Sequence, residues 1–289
     1  MRDDFCVFIM THGRPDRVHT YDSLMKAGYT GKVYIVIDNE DKTEAGYRQR
    51  YGDKVLQFDK AKYAAITDEG DNFQHRKAIV YARNACWELA EKVGCKYFLQ
   101  FDDDYVNFRL RYNKQMQYCC IPITHTIDEI LMALLDFYIA SNATSIAMSQ
   151  GADHIGGDPG DGNKRRLSRK CMNSWFCDIG KPIKYFGHMN EDVSAYVVLG
   201  HRGHLFLNVF QAQLNQKPTQ TTAGGMSDLY LSSGTYVKSF YTIMAAPSCV
   251  RISTLQNWSA DNPTPRIHHD ILWNKAVPKI LDESCRKAR

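Results

Sequence analysis

No apolar stretch in these 289 residues is long enough to cross a bilayer, and the opening Met1-Arg2-Asp3-Asp4 has none of the features of a secretory leader. The expectation is a cytoplasmic chain with no membrane partner. Cys-x-x-Cys pairs are also missing. Nine cysteines, an odd number, lie scattered, which argues for reduced, packed thiols rather than a disulfide frame or a zinc site. There is no internal repeat, low-complexity tract or linker, so the chain reads as one domain spanning 1–289. Net charge is small, at +4, which permits a polyanionic partner without demanding one. The first loop lacks the Gly-rich phosphate pattern and its Lys, which ranks nucleotidyl transfer low.

What is present is an ordinary globular composition, 44% apolar and 24% charged. Residues 5–10 form a continuous apolar run that ends in Thr11-His12-Gly13-Arg14-Pro15. A helix is predicted over 17–27, strands over 32–37 and near 55–58, and a helix over about 72–93, stopped by Gly94. A strand over 96–101 then ends in Asp102-Asp103-Asp104. This alternation predicts an α/β fold: a mostly parallel sheet with helices on its faces. In such sheets the ligand sits beyond the carboxyl ends of the strands, where Thr11, Gly13, Arg14, Asp38 and the three aspartates fall. Further on, the spacing predicts a helix from Ile127 to Tyr138, strands over 143–148, 175–178 and 183–186, and a helix opened by Gly187-His188-Met189-Asn190-Glu191-Asp192. A loop over 151–170 closes on a basic run, and an apolar helix is expected after Asp270.

Three adjacent carboxylates repel one another unless a cation or hydrogen bonds offset the charge. Mg²⁺ and Mn²⁺ prefer carboxylate oxygens and leave sites for diphosphate, so Asp102-x-Asp104 at a strand end suits a metal-held nucleotide diphosphate. A solvated acidic turn is the plainer alternative.

The ordered set of Thr11-His12-Gly13-Arg14-Pro15, Asp38, Ala82-Arg83-Asn84, Asp102-Asp103-Asp104 and Glu191-Asp192 resembles the GT-A nucleotide-sugar glycosyltransferases over roughly 5–200. Together with Thr222-Ala223-Gly224-Gly225-Met226, the Asp-Asp-Asp variant resembles more narrowly the phage glycosyltransferases associated with TET-type dioxygenases. Those are thought to decorate 5-hydroxymethylcytosine in DNA.

The resemblance implies a nucleotide-sugar half (1–108) and an acceptor half (109–289), the latter contributing an acceptor-side insertion. It implies a UDP-sugar donor, a Mn²⁺ or Mg²⁺ ion and a DNA acceptor in a phage-infected cell. Thr11, Gly13, Arg14, Asp38, Arg83, Asp102 and Asp103 would bind the donor; Asp104 and Asp102, with His268 or His269, would hold the metal. Asp192 would be the general base, with Glu191 beside it, and a single base implies inversion. Trp175, Gly224, Gly225, Lys164, Arg165 and Arg166 would meet the acceptor. Each has a plainer reading: Asp38 as a turn former, Arg83 as a helix-surface ion pair, Asp192 as a helix cap, and the basic loop as solvated surface. A glycan or protein acceptor, and a non-catalytic binding module, are the competing functions.

Overall fold

The structure is a computed structural model, described here for residues 1–72, 76–154, 157, 171–217, 237–256 and 265–287. Its centre is a five-stranded sheet in the order β3-β2-β1-β4-β8. The strands β1 (Phe5–Met10), β2 (Lys32–Asp38), β3 (Val55–Phe58) and β4 (Tyr97–Asp102) run parallel, and β8 (Ser174–Asp178) closes one edge antiparallel to β4.

Strand β1 is buried on both sides, which is why it reads as an unbroken apolar run. Its alternate residues feed two cores. Cys6, Phe8 and Met10 pack with α4 (Val80–Lys92) and α6 (Glu191–His201). Phe5, Val7 and Ile9 pack with α1 (His19–Lys26), α2 (Glu44–Tyr51) and α5 (Ile127–Ser141). Each such apolar side chain removed from water contributes about 1.5–3 kcal/mol. The expected mostly parallel sheet with helices on both faces is therefore what these residues build.

A second sheet, in the order β6-β5-β9-β7, stands beyond the acid-tipped strand. It comprises β5 (Tyr105–Tyr112), β6 (Tyr118–Pro122), β7 (Ser145–Gln150) and β9 (Phe206–Gln216). A hairpin of β10 (Val250–Gln256) and β11 (Pro265–Ile271) packs with α7 (Val237–Ala245), and α3 (Lys60–Ile66) packs on α4.

Several expected elements differ. The helix expected from 72 begins at Val80, because no apolar periodicity precedes Ile79. Residues 183–186 are not a strand. Both backbone groups of Tyr185 are held instead by Asn84, whose Oδ1 accepts from Tyr185 N and whose Nδ2 donates to Tyr185 O, each at 2.9 Å. The helix expected after Asp270 is one turn only, α8 (Trp273–Ala276), and His268 and His269 lie on strand β11. None of the helices among the described residues is long and apolar enough to cross a membrane.

Candidate active site

Strand β1 pairs with β2 on one side and with β4 on the other, so the chain order reverses between β1 and β4. The crevice outside the carboxyl ends of such strands is where ligands enter an open α/β sheet. Met10 stands in register with Asp102, so the loop after β1 and the acidic turn after β4 face each other across it.

Asp103 turns away from the crevice and ties these two segments together. It is 2% exposed and accepts from Thr11 Oγ1 at 2.5 Å and Arg14 Nε at 2.7 Å. Thr11 and Arg14, expected to line the donor pocket, are thus engaged in the clamp, and Asp103 is corrected from donor contact to loop anchor. Its side chain alternates to the opposite side from its two neighbours. Tyr47 completes the clamp, its hydroxyl lying 3.0 Å from Thr11 Oγ1 and accepting from Arg14 N at 2.9 Å. Gly13 adopts φ 73°, a left-handed turn that suits glycine, and donates to Asp41 Oδ2 at 2.8 Å. Asp38 is buried, with His12 Nδ1 at 2.7 Å and Lys60 Nζ at 3.3 Å from Oδ2. Burial pushes its carboxyl up, but the His12 hydrogen bond and the Lys60 charge outweigh this and leave it below the ordinary range. Asp41, Tyr47 and Lys60 were missed, since only proximity to Asp38 and Arg14 gives them a role.

Arg83 joins the acidic turn to the Glu191-Asp192 pair. Its Nη2 donates to Asp102 Oδ1 at 2.9 Å and its Nε to Glu191 Oε1 at 2.8 Å, while the residue is 1% exposed. Its anchor is internal: Gln100 Nε2 donates to Arg83 O at 2.9 Å. The third guanidinium nitrogen, Nη1, has no partner among the described residues. The expected Arg83–Asp102 pair is therefore present, deep rather than on a helix surface. Burial raises both Asp102 and Glu191 above the carboxylate norm despite Arg83, and Asp192 adds repulsion to each. Asp104 is pushed up to about 7, first by burial and then by the charges of Asp102 and Asp103. It has no ion-pair partner among the described residues. Asp192 stands at the first turn of α6, and its Oδ1 accepts from Val193 N at 2.7 Å.

The loop that delivers Glu191 and Asp192 is itself held. His188 is fully buried, with Nδ1 2.7 Å from Asp71 Oδ2 and Nε2 2.8 Å from the Tyr81 hydroxyl. Tyr241 also donates to Asp71, and His188 N donates to Glu69 O at 3.0 Å.

The sequence profile of the TET-associated glycosyltransferases matches residues 5–225. The chain belongs to that family. Two solved structures are similar at low identity. S. aureus TarS 1–349 is 11% identical with a TM-score of 0.46, the match covering 83% of this chain and 65% of that one, less than two thirds of its length. Glucosyl-3-phosphoglycerate synthase from Mycobacterium tuberculosis, in complex with Mn²⁺, UDP and phosphoglyceric acid, is 9% identical with a TM-score of 0.46 over 93% and 87% of the two chains. No curated protein matches.

In this TET-associated glycosyltransferase the chemistry of Asp102 and Asp104 fits a hard divalent ion. Both offer carboxylate oxygens, and Asp104 holds surplus negative charge that a cation would offset. No three His, Cys, Asp or Glu side chains among the described residues are grouped to hold a metal. His268 and His269 are not brought into such a group with Asp102 and Asp104 among the described residues. Adjacent strand residues point to opposite faces. Buried His269 reaches Asn190, with Nδ1 3.4 Å from Nδ2, whereas His268 Nδ1 lies 2.7 Å from His269 O.

Trp175 is also corrected. It is fully buried on β8, its ring 5.1 Å from Tyr185 and 5.8 Å from Phe206, and it cannot stack on an acceptor base. Lys164, Arg165, Arg166, Gly224 and Gly225 lie outside the described residues.

Proposed function

We propose that this family member transfers a sugar from a UDP-sugar to the hydroxyl of 5-hydroxymethylcytosine in DNA, with inversion and with Mn²⁺ or Mg²⁺ bound. The observation that carries the reading is the Arg83 bridge, which brings the Glu191-Asp192 pair to the acidic turn at the sheet's switch point. A donor-side acid group and a candidate base thereby share one buried cluster. Asp104 and Asp102 would hold the ion, which supplies Lewis-acid neutralisation of the departing diphosphate.

The chain's own residues do the remaining work. Asp192 Oδ1 is committed to Val193 N, and Oδ2 has no hydrogen-bond partner among the described residues, so it is placed to take a proton. As the acceptor oxygen bonds to the anomeric carbon, the bond from that carbon to UDP breaks and the hydroxyl proton passes to Asp192. Arg83 keeps Glu191 and Asp102 in fixed orientation through this step. One base and no covalent nucleophile gives inversion at the sugar. The family to which the chain belongs and the narrow sequence resemblance support modified cytosine as the acceptor.

The test is incubation with DNA containing cytosine, 5-methylcytosine or 5-hydroxymethylcytosine, a panel of UDP-sugars and Mn²⁺, followed by nucleoside mass. A hexose-sized gain only on 5-hydroxymethylcytosine is expected; a gain on none of the three would sink the DNA assignment. Asp192→Asn keeps the helix-capping shape but cannot accept the proton. It should retain UDP binding while losing about 10²–10⁴ in transfer rate, and parental turnover would place the base elsewhere.

A further inference from the structure

Between the ends of β7 and β9, the second sheet opens. Their register jumps from Met148↔Val209 to Ser149↔Gln213, which leaves Phe210, Gln211 and Ala212 of β9 without a register partner on β7. Beside this slip lies a cavity of ≈ 260 Å³, lined by Gln150, Gly151, Leu214, Asn215, Gln216 and Lys217, with Ala152 at its edge. Three of the seven lining residues, Gln150, Asn215 and Gln216, carry carboxamides, and two of these are set in place. Asn215 Nδ2 donates to Asn107 Oδ1 at 2.8 Å, Gln213 Nε2 donates to Asn215 Oδ1 at 2.5 Å, and Asn173 Nδ2 donates to Gln216 Oε1. Gln150 differs: its Nε2 is buried and donates to nothing among the described residues. A buried donor with no acceptor is costly and asks for a partner from outside.

The cavity adjoins the acidic turn. Lys217 N donates to Asp104 O at 3.1 Å, and Lys217 Nζ is taken up by His19 Nε2 at 2.7 Å. No carboxylate lines it, whereas the crevice on the other side of Asp104 is rich in them. We propose that this cavity seats the acceptor base, a hydroxymethyl-bearing pyrimidine whose edge bonds the carboxamides of Gln150, Asn215 and Gln216. The assignment rests on the sugar-transfer reading above. Carboxamides carry a donor and an acceptor side by side, which matches the N–H and C=O or ring-nitrogen pattern of a pyrimidine edge. The charged side chain of the lining, Lys217, is already bonded to His19, which leaves the carboxamides to meet an uncharged ring, while the anionic donor belongs with the ion.

Two kinds of substitution separate the base pocket from ordinary sheet structure. Gln150→Leu removes no hydrogen bond that the side chain makes among the described residues, so it tests recognition without loosening the fold. At Gly151 an added Cβ would stand 3.5 Å from Asn215 Oδ1 and Gln213 Nε2, an ordinary contact. Gly151→Ala should therefore be tolerated and Gly151→Leu should fill the cavity. With an oligonucleotide carrying one 5-hydroxymethylcytosine, Gln150→Leu and Gly151→Leu should each raise the acceptor KM about tenfold or more, with Gly151→Ala near the parent. UDP affinity in Mn²⁺, measured by calorimetry, should match the parent in all three. Parental acceptor KM in Gln150→Leu and Gly151→Leu would overturn the pocket and leave the transferase reading standing. A raised UDP-sugar KM instead would assign the cavity to the donor sugar and overturn it as well. A parent that glycosylates no hydroxymethylpyrimidine would overturn the reading, and the pocket with it.

Discussion

Asp104 has its proton affinity raised from the ordinary 3.8 to about 7 by burial and by its two acidic neighbours. Between those two values the folded state binds more protons than the unfolded chain, so by proton linkage stability falls as pH rises, and the loss is complete above pH 7. Asp104→Asn removes that charge. In metal-free buffer at pH 8 it should melt higher than the parent, by about 2–4 °C per kcal/mol recovered, with the gain vanishing near pH 4. The same variant should lose Mn²⁺-dependent UDP binding in calorimetry. An unchanged melting profile would mean that the acidic turn is solvated and uncoupled. Arg83 has the opposite sign. Arg83→Met strands the buried carboxylate of Glu191 and the half-buried one of Asp102, and urea unfolding at pH 8 should show a loss of about 3–5 kcal/mol. Adding Glu191→Gln should recover part of it, because only one charge then stays unpaired.

At the level of elements, the loop before α6 is held by side chains rather than by backbone ladders. His188, Asp71, Tyr81 and Tyr241 join three separate segments around it. His188→Leu removes one hydrogen bond each from Asp71 and Tyr81, at a cost of about 0.5–1.5 kcal/mol per bond. Faster amide exchange across residues 187–192, without equal loosening of β1 and β4, is the expected pattern; uniform change would deny the loop its special tie. The same dependence on side chains explains what the sequence could and could not disclose. Strands β1, β2, β3 and β4 are apolar runs, and their ends carry Thr11, Asp38 and Asp102, so the crevice was legible. Of the second sheet only β7 was, although β9 alternates: Phe206, Asn208, Phe210 and Ala212 are buried positions along it, interrupted by polar types that mask the period. Helices α2 and α3 bury few residues each and show weak apolar spacing. Trp175 misled because an aromatic beside a basic loop reads as a stacking platform, whereas pairing with β4 places it in the core. The clamps by Asp103 and Asn84 join residues far apart in the chain, and no local pattern encodes them.

For the molecule as a whole, the net charge of +4 is too low for bulk attraction to hold DNA, so the proposed DNA acceptor would have to be held by a local concentration of basic side chains. The sequence offers one, Lys164, Arg165, Arg166, Arg169 and Lys170, separated in the chain from both the acidic turn and the Glu191-Asp192 pair. If the acceptor is DNA, these residues neutralise phosphates and release counterions on binding. Replacing three of them with Gln should flatten the log–log dependence of DNA affinity on salt by about 0.9 for each phosphate no longer neutralised. UDP binding should be untouched, because the residues proposed to hold the ion and donor follow strands of the first sheet. The distinction matters for acceptor choice: weaker attraction to phosphates lowers affinity for all sequences and all cytosine forms equally, whereas a base pocket discriminates among them. Titrations of duplexes with cytosine and with 5-hydroxymethylcytosine should thus lose affinity in parallel in the loop variant. A salt slope equal to the parent's would make the basic run mere surface and turn the acceptor search toward glycans or proteins.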